Sequence, residues 1–314
     1  MDKLIFSLDA TMPVFLMMVV GYGLRRGGLV SDELASLSNS FVFRVALPAL
    51  LFHDLATMDI GEVWDGGFVA FCALATLASI AISYVVALAF RGADWRGEAV
   101  QAQFRSATTF LGVAFVQNIY GNAGAAPLMI IGAAPIYNVV SVIILELMHP
   151  GQGRVTRELL RKSLRQIATN PLILAILAGA AWSALRLPLP GIVDTTIGQV
   201  GGLATPLGLI ALGASFDARR ALAMRVPTLA CTLMKLVGMA AVFVPCAVAL
   251  GYTDQKLVAA LMMLGLPTTV SAFVMARGMG HDGTLTSSVV MLSTLLSSVT
   301  LTAWLWLLRS LGLV

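Results

Sequence analysis

The sequence predicts an all-α polytopic membrane protein with ten transmembrane helices arranged as two inverted five-helix repeats. Three observations carry this. First, the 314-residue chain is 58% hydrophobic and only 11% charged, whereas soluble domains carry about 25% charged residues to build a polar exterior. Second, apolar runs of about 20 residues, long enough to cross a bilayer as helix, recur near 4–24, 34–56, 67–90, 100–120, 126–148, 169–186, 190–214, 227–250, 257–276 and 286–308. Third, a shift of 158 residues lays Pro13 on Pro171, Gly21 on Gly179 and Ala46-Leu47-Pro48 on Ala204-Thr205-Pro206.

That offset divides the chain into a first repeat, 1–150, a basic connection, 151–168, and a second repeat, 169–314. Five spans per half is an odd number, so the second half starts from the opposite membrane face. Inverted repeats of this kind are a common frame of secondary transporters.

The first run follows Met1-Asp2-Lys3, a poor basic leader, and precedes Arg25-Arg26. It is expected to stay as a span with its N-terminus outside. The second run contains Arg44 and ends near His53 and Asp54, and the third carries Cys72. With Cys231 and Cys246, Cys72 is read as a small buried hydrophobe, because the three show neither disulfide nor metal spacing. After the fifth run comes Gly151–Ala168, with Arg154, Arg157, Arg161, Lys162 and Arg165 spaced for a short amphipathic surface helix. Gly198 and Gly202, in the seventh run, are spaced either for close helix packing or for a homodimer face.

Basic residues orient the spans. Arg25, Arg26, Arg91, Arg96, Arg154, Arg157, Arg161, Lys162, Arg165, Arg219, Arg220, Arg225 and Arg277 fall on one side, against Lys3, Arg186, Lys256 and Arg309 on the other. The positive-inside rule then places both termini outside the cell (inner) membrane. The net charge of +4 is thus a topology device and not a nucleic-acid patch.

The fourth and ninth spans attract attention because Thr108-Thr109 meets Thr268-Thr269 once the offset slips by two residues. Pro267 sits among small and hydroxyl residues at mid-span and predicts a helix break. Ala107 occupies the matching place in the fourth span. Irregular backbone at that depth is tolerated only inside protein or beside a cavity. Two broken helices would present half-helix N-termini suited to an anion. The alternative is a pair of kinked packing helices whose threonines bond their own backbone.

Three cations fall within spans. Arg44 and Lys235 have no counterpart in the other half, the offset placing Gly202 and Leu77 opposite them. Each reads as a carboxylate clamp or as a structural or snorkelling group. Arg105, nearer the cytoplasmic end, is expected to snorkel. Asp9, Asp54, Asp194, Asp217 and Glu146 lie within a few turns of span ends, so no carboxylate-built metal site or proton relay is apparent, and no cofactor is implied.

The segment Leu266-Pro267-Thr268-Thr269-Val270-Ser271-Ala272-Phe273-Val274-Met275-Ala276 resembles the ninth-span signature of the auxin efflux carrier family. Phe41–Ala56 is similar to that family's second span, and Thr108-Thr109-Phe110-Leu111-Gly112 through Tyr120-Gly121 to its fourth. Pro135-Ile136-Tyr137-Asn138 resembles the fifth span of its bacterial members. The resemblance implies a fold akin to sodium/proton antiporters and bile-acid transporters. Spans 1, 2, 6 and 7 would form a scaffold, and spans 3–5 and 8–10 a moving domain with crossed broken helices 4 and 9. It implies elevator-like alternating access for weak organic acids: auxin in plants, malonate and related carboxylates in bacteria. Thr108, Thr109, Tyr137, Asn138, Pro267, Thr268, Thr269 and Ser271 become the expected substrate site, joined by Arg44 and Lys235. Two departures stand out. Thr108 replaces the usual Asn, and neither Ala107 nor Ala114 is proline.

The leading reading is therefore a secondary transporter of a small organic anion in the lipid bilayer, driven by protons or by facilitated exchange. A sodium-coupled organic-anion symporter is the runner-up. An intramembrane enzyme is disfavoured, since no His-Glu-x-x-His or Gly-x-Ser-x-Gly element occurs, and no phosphate-binding loop for ATP is present.

Overall fold

The computed structural model describes residues 2–57, 65–90, 94–122, 124–149, 165 and 167–314. The expected surface helix with Arg154, Arg157, Arg161 and Lys162 lies outside the described residues. Every regular element among the described residues is helical. They are α1 (Asp2–Arg26), α2 (Asp32–Ala56), α3 (Gly66–Phe90), α4 (Arg96–Phe104), α5 (Val113–Tyr120), α6 (Ala126–Leu147) and α7 (Pro171–Ala184) in the first part. They continue with α8 (Gly191–Ser215), the short α9 (Ala218–Ala223), α10 (Arg225–Ala249), α11 (Asp254–Gly265), α12 (Val270–Gly278) and α13 (Thr284–Ser310). Seven stretches are long and apolar enough to span a membrane: α2, α3, α6, α8, α10, α11 with α12, and α13. The protein is a polytopic membrane protein.

The helix ends follow local chemistry. Ser31 caps α2, its hydroxyl accepting from the Leu34 N–H at 3.1 Å. Asp65 caps α3 through the Phe68 N–H at 3.0 Å and also pairs with Lys256 on α11. Asn170 caps α7 at the Leu172 N–H, with Pro171 in the first turn, where its missing N–H costs nothing. The N-terminus of α13 is capped from a distance. The buried Glu98 carboxylate on α4 accepts from Gly283 N, Thr286 N and Thr286 Oγ1 at 2.9, 3.0 and 2.9 Å.

The glycines shared by the two repeats mark backbone contacts. A Cβ on Gly21 of α1 would stand 2.3 Å from the Ile210 carbonyl oxygen of α8. One on Gly179 of α7 would stand 2.8 Å from the Phe52 carbonyl oxygen of α2. Gly213 of α8 returns the contact, its Cβ position lying 1.9 Å from the Met18 oxygen. Gly198 abuts the His53 ring within the same chain, beside a His53–Asp194 contact of 3.0 Å. Close packing therefore accounts for Gly198 without a second copy.

Apolar burial falls into two main clusters. One draws on Phe68, Phe104, Phe115, Met129, Met239, Leu261 and Leu305, from α3–α6, α10, α11 and α13. The other draws on Met18, Phe43, Leu172, Leu209 and Leu212, from α1, α2, α7 and α8, with Phe273 and Val290 reaching in from α12 and α13. Cys72 and Cys231 are buried as expected, but Cys246 is exposed. It lies on the outer flank of α10, where an apolar side chain can face lipid and an apolar run does not distinguish inside from outside.

Gly213→Val is expected to lower thermal stability by about 1–3 kcal/mol, since no rotamer relieves a backbone clash, whereas Gly23→Ala, with open space at its Cβ, leaves melting unchanged. Fluorescence-detected size-exclusion melting of the solubilised protein checks both.

Candidate functional site

Helix α4 stops at Phe104 because Arg105 turns extended (φ −71°, ψ 128°), and a wide turn, Thr108–Gly112, restarts the chain toward α5. Helix α11 stops at Gly265 for a local reason. Pro267 has no N–H and pushes Leu266 out of the helical region (φ −67°, ψ 156°); helix resumes at Val270. Both predicted breaks, at Ala107 and Pro267, are thus present.

The two breaks lie against each other. Ala107 N donates to the Pro267 carbonyl at 3.1 Å. Thr268 Oγ1 donates to the Ala102 carbonyl at 2.7 Å, and Ser106 Oγ donates to the Met263 carbonyl. Each break therefore satisfies carbonyls that the other leaves without an intrahelical donor. A fourth contact holds Thr268 N to Ser293 Oγ on α13 at 3.1 Å. The absence of proline at 107 is compensated by these cross-contacts.

A cavity of about 500 Å³ opens beside the breaks. Of the sequence-predicted site, Ala107, Thr108, Thr109, Tyr137, Asn138, Pro267, Thr268, Thr269 and Ser271 all line it. Arg44 and Lys235 do not. Arg44 is exposed on α2. Lys235 is buried (1% exposed) and donates to Ser106 Oγ and to the Leu264 carbonyl at 2.8 Å. Gln117 and Asn118 are exposed on α5.

The cation on the cavity wall is Arg105, which the sequence reading placed at the cytoplasmic rim. It is only 1% exposed, because the end of α4 at Phe104 turns it inward. Its Nη2 donates to Asn138 Oδ1 at 2.8 Å and to Ser271 Oγ at 2.7 Å, and its Nη1 to the Tyr137 carbonyl at 3.4 Å. The guanidinium carbon lies 5.2 Å from the Tyr137 ring centre, and the Tyr137 hydroxyl meets Thr108 Oγ1 at 2.7 Å. One side chain thus ties α4, α6 and α12 together at the cavity. Among the described residues no carboxylate lies within ion-pair distance of Arg105, and its Nε is buried without a hydrogen-bond partner.

Two further features complete the wall. Helix α12 begins at Val270, its N-cap Thr269 makes no side-chain cap bond, and Thr269, Val270 and Ser271 all line the cavity, so the positive dipole end of the helix lies at the same space. Asp54 of α2 also lines the cavity, although its place near a span end suggested no such position. Sequence alone held one signal for Arg105. It stands three residues before the repeated Thr-Thr element and falls on Gly265 at the slipped offset, so it is an unshared charge beside a shared break. The cavity surface thus offers a guanidinium, an amide, hydroxyls and helix N–H groups as hydrogen-bond donors, with Asp54 as an acidic group on the same cavity and apolar side chains behind.

A family model described as membrane transport protein matches residues 6–305. The chain belongs to this family, that of the auxin efflux carriers. The carrier is 27% identical over 308 residues to an "Uncharacterized transporter" of Methanothermobacter thermautotrophicus, covering 95% of this chain and 97% of the relative. It is 26% identical over 309 residues to a "Putative malonate transporter" of Rhizobium meliloti, covering 95% of each. As a family member the carrier is a membrane transporter, whose partners are the bilayer and a small-molecule substrate.

Thr268→Val keeps the shape of the side chain but leaves the Ala102 carbonyl without a donor. The expected cost is about 1–3 kcal/mol, read as a lowered melting temperature, whereas Thr302→Val, whose hydroxyl only bonds back to Ser298 in its own helix, changes little.

Proposed function

We propose that the carrier is a secondary transporter of a small organic anion, with Arg105 as the group that binds the substrate carboxylate. The observation that carries this reading is a buried guanidinium on a cavity wall, held by neutral oxygens and lacking a carboxylate counter-ion among the described residues. Burying a charge costs several kcal/mol unless it is paired, so the arrangement favours a substrate that supplies the missing negative charge. Asn138, Ser271 and the N-terminus of α12 would add donors around it. Thr108 and Tyr137 would fix the position of the guanidinium and the shape of the pocket. The malonate named for the Rhizobium meliloti relative is a carboxylate of suitable size.

The cavity also holds Asp54, a negative group that disfavours a second charge on the substrate. A substrate entering as a monoanion, or a dianion entering together with a proton, satisfies both walls. This supports a proton-linked carrier over the sodium-coupled symporter.

For the architecture, our reading is ten spans in two inverted halves, with both termini outside. Its support is the reciprocal glycine contacts of α1 with α8 and of α7 with α2, and the facing breaks of the fourth and ninth spans. Ion pairs join residues assigned to one side: Asp65 with Lys256 outside, Arg25 with Asp32 and Arg220 with Asp282 inside. The two apolar clusters support a scaffold of α1, α2, α7 and α8, and a moving body built from α3–α6 and α10–α13. The cavity lies where they meet. Elevator-like alternating access follows, the body carrying Arg105 and both breaks past the scaffold. An exposed apolar scaffold face, with Ile192 at 85% exposure, would suit a homodimer.

The test is uptake of labelled malonate and of an aromatic weak acid into liposomes under separate proton and sodium gradients. Arg105→Gln is expected to lower uptake about tenfold to a hundredfold, the scale of losing charged hydrogen bonds of about 1.5–3 kcal/mol, with a normal elution profile. Arg44→Ala, outside the cavity, keeps wild-type uptake. Full activity in Arg105→Gln would remove the basis of the proposal.

A further inference from the structure

Lys235 is buried at the middle of α10, contributes nothing to the cavity wall, and still reaches the point where the two breaks meet. Its position follows from Pro267. In an unbroken helix the Met263 carbonyl would accept from residue 267, which as proline has no N–H. The Leu264 carbonyl would accept from Thr268 N, which instead donates to Ser293 Oγ. Both carbonyls belong to the negative end of α11, deep in the protein. The first is satisfied by Ser106 Oγ, and the second by Lys235 Nζ at 2.8 Å, while the same Nζ also donates to Ser106 Oγ.

The groups around Nζ are a carbonyl oxygen, a hydroxyl oxygen and a helix C-terminus, with no carboxylate in ion-pair reach among the described residues. Neutral hard oxygens at the end of a broken half-helix form a ligand set for a small monovalent cation. We propose that the Lys235 ammonium is a resident cation. As part of the chain, it fills the position between the two breaks that a free sodium or potassium ion would otherwise occupy, and so relieves transport of any requirement for that ion. Lys235 is thereby a positioning residue. It joins α10 and α11 to Ser106 and keeps the break of the fourth span in register with the break of the ninth.

The experiment is thermal melting of the full-length solubilised protein in sodium chloride, potassium chloride and choline chloride at equal ionic strength. It needs no substrate, so its outcome is separate from that of the carboxylate proposal. Wild type is expected to melt at one temperature in all three salts. Lys235→Ala is expected to melt lower in choline and to recover by about 3 °C or more in sodium or potassium, as mass-action binding to a vacated site requires. Lys235→Gln fills the space and can donate to the same oxygens, so it should show no response to the cation. In malonate uptake, replacing sodium by choline should leave wild type unchanged and should lower Lys235→Ala alone. A salt response of wild type equal to that of Lys235→Ala would overturn the proposal, as would a Lys235→Ala protein that melts alike in every salt. Folding of Lys235→Ala only in sodium or potassium supports it; failure to fold in all three counts against it. A Lys235→Gln protein that responds to sodium as Lys235→Ala does would also refute it.

Discussion

Backbone groups inside a membrane protein cannot turn to water, and this carrier interrupts two helices at that depth. Everything at its centre follows from where the freed groups go. Ala107 N finds the Pro267 carbonyl, the Thr268 hydroxyl finds Ala102, and Ser106 finds Met263. Either break alone would strand polar groups at a cost of several kcal/mol in a dry interior. Set against each other, the two complete one another, and the positive end of the resumed helix α12 is left facing a cavity. The cavity is thus a by-product of the way two chain interruptions share hydrogen bonds.

The same arrangement explains how a guanidinium can be buried with no acid in ion-pair reach among the described residues. Arg105 is the first residue beyond α4, so its backbone has already left the helix, and its side chain runs along the gap between α6 and α12. Neutral partners, Asn138 Oδ1, Ser271 Oγ and the Tyr137 carbonyl, fix the guanidinium without cancelling its charge. A carboxylate in their place would lower the cost of burial and also cancel the charge. The burial cost that a counter-ion would relieve is therefore left standing at this position.

What could be read in the sequence was whatever the chain encodes locally or repeats. Pro267 forces its own break, the doubled threonines mark its partner, and the shared Gly21 and Gly179 both turned out to lie on backbone contacts. Tyr137 and Asn138 were legible through family resemblance and do reach the cavity. Less legible was anything decided by a distant segment. The break at Arg105–Ala107 has no proline. It depends on Thr268 and Pro267, more than 150 residues away, so nothing local to Arg105 shows that its backbone has already left the helix, and its place near the cytoplasmic end suggested a snorkelling side chain. Lys235 was correctly singled out as an intramembrane charge, but hydropathy cannot say whether such a charge faces a cavity or a carbonyl. Cys246 shows the converse, an apolar position whose side is set by packing alone. Asp54 came within reach of the cavity because the cavity extends toward the end of α2, a matter of shape that no spacing reveals.

The glycine contacts carry one more implication. Where Gly21 meets Ile210 and Gly213 meets Met18, backbone rests on backbone with no side chain between them, and the Gly179–Phe52 contact repeats this in the other half. Such seams have no rotamers to rearrange and no methyl groups to slide over one another, so they behave as welds. The second apolar cluster, which takes in Phe273 and Val290 of α12 and α13, is different: there a glycine meets a side chain and not backbone, as where Gly278 abuts the Phe43 ring and Gly208 the Val274 methyl. The carrier therefore holds two kinds of helix contact, stiff seams of backbone on backbone at Gly21, Gly213 and Gly179, and softer ones in which a glycine receives a ring or a methyl group.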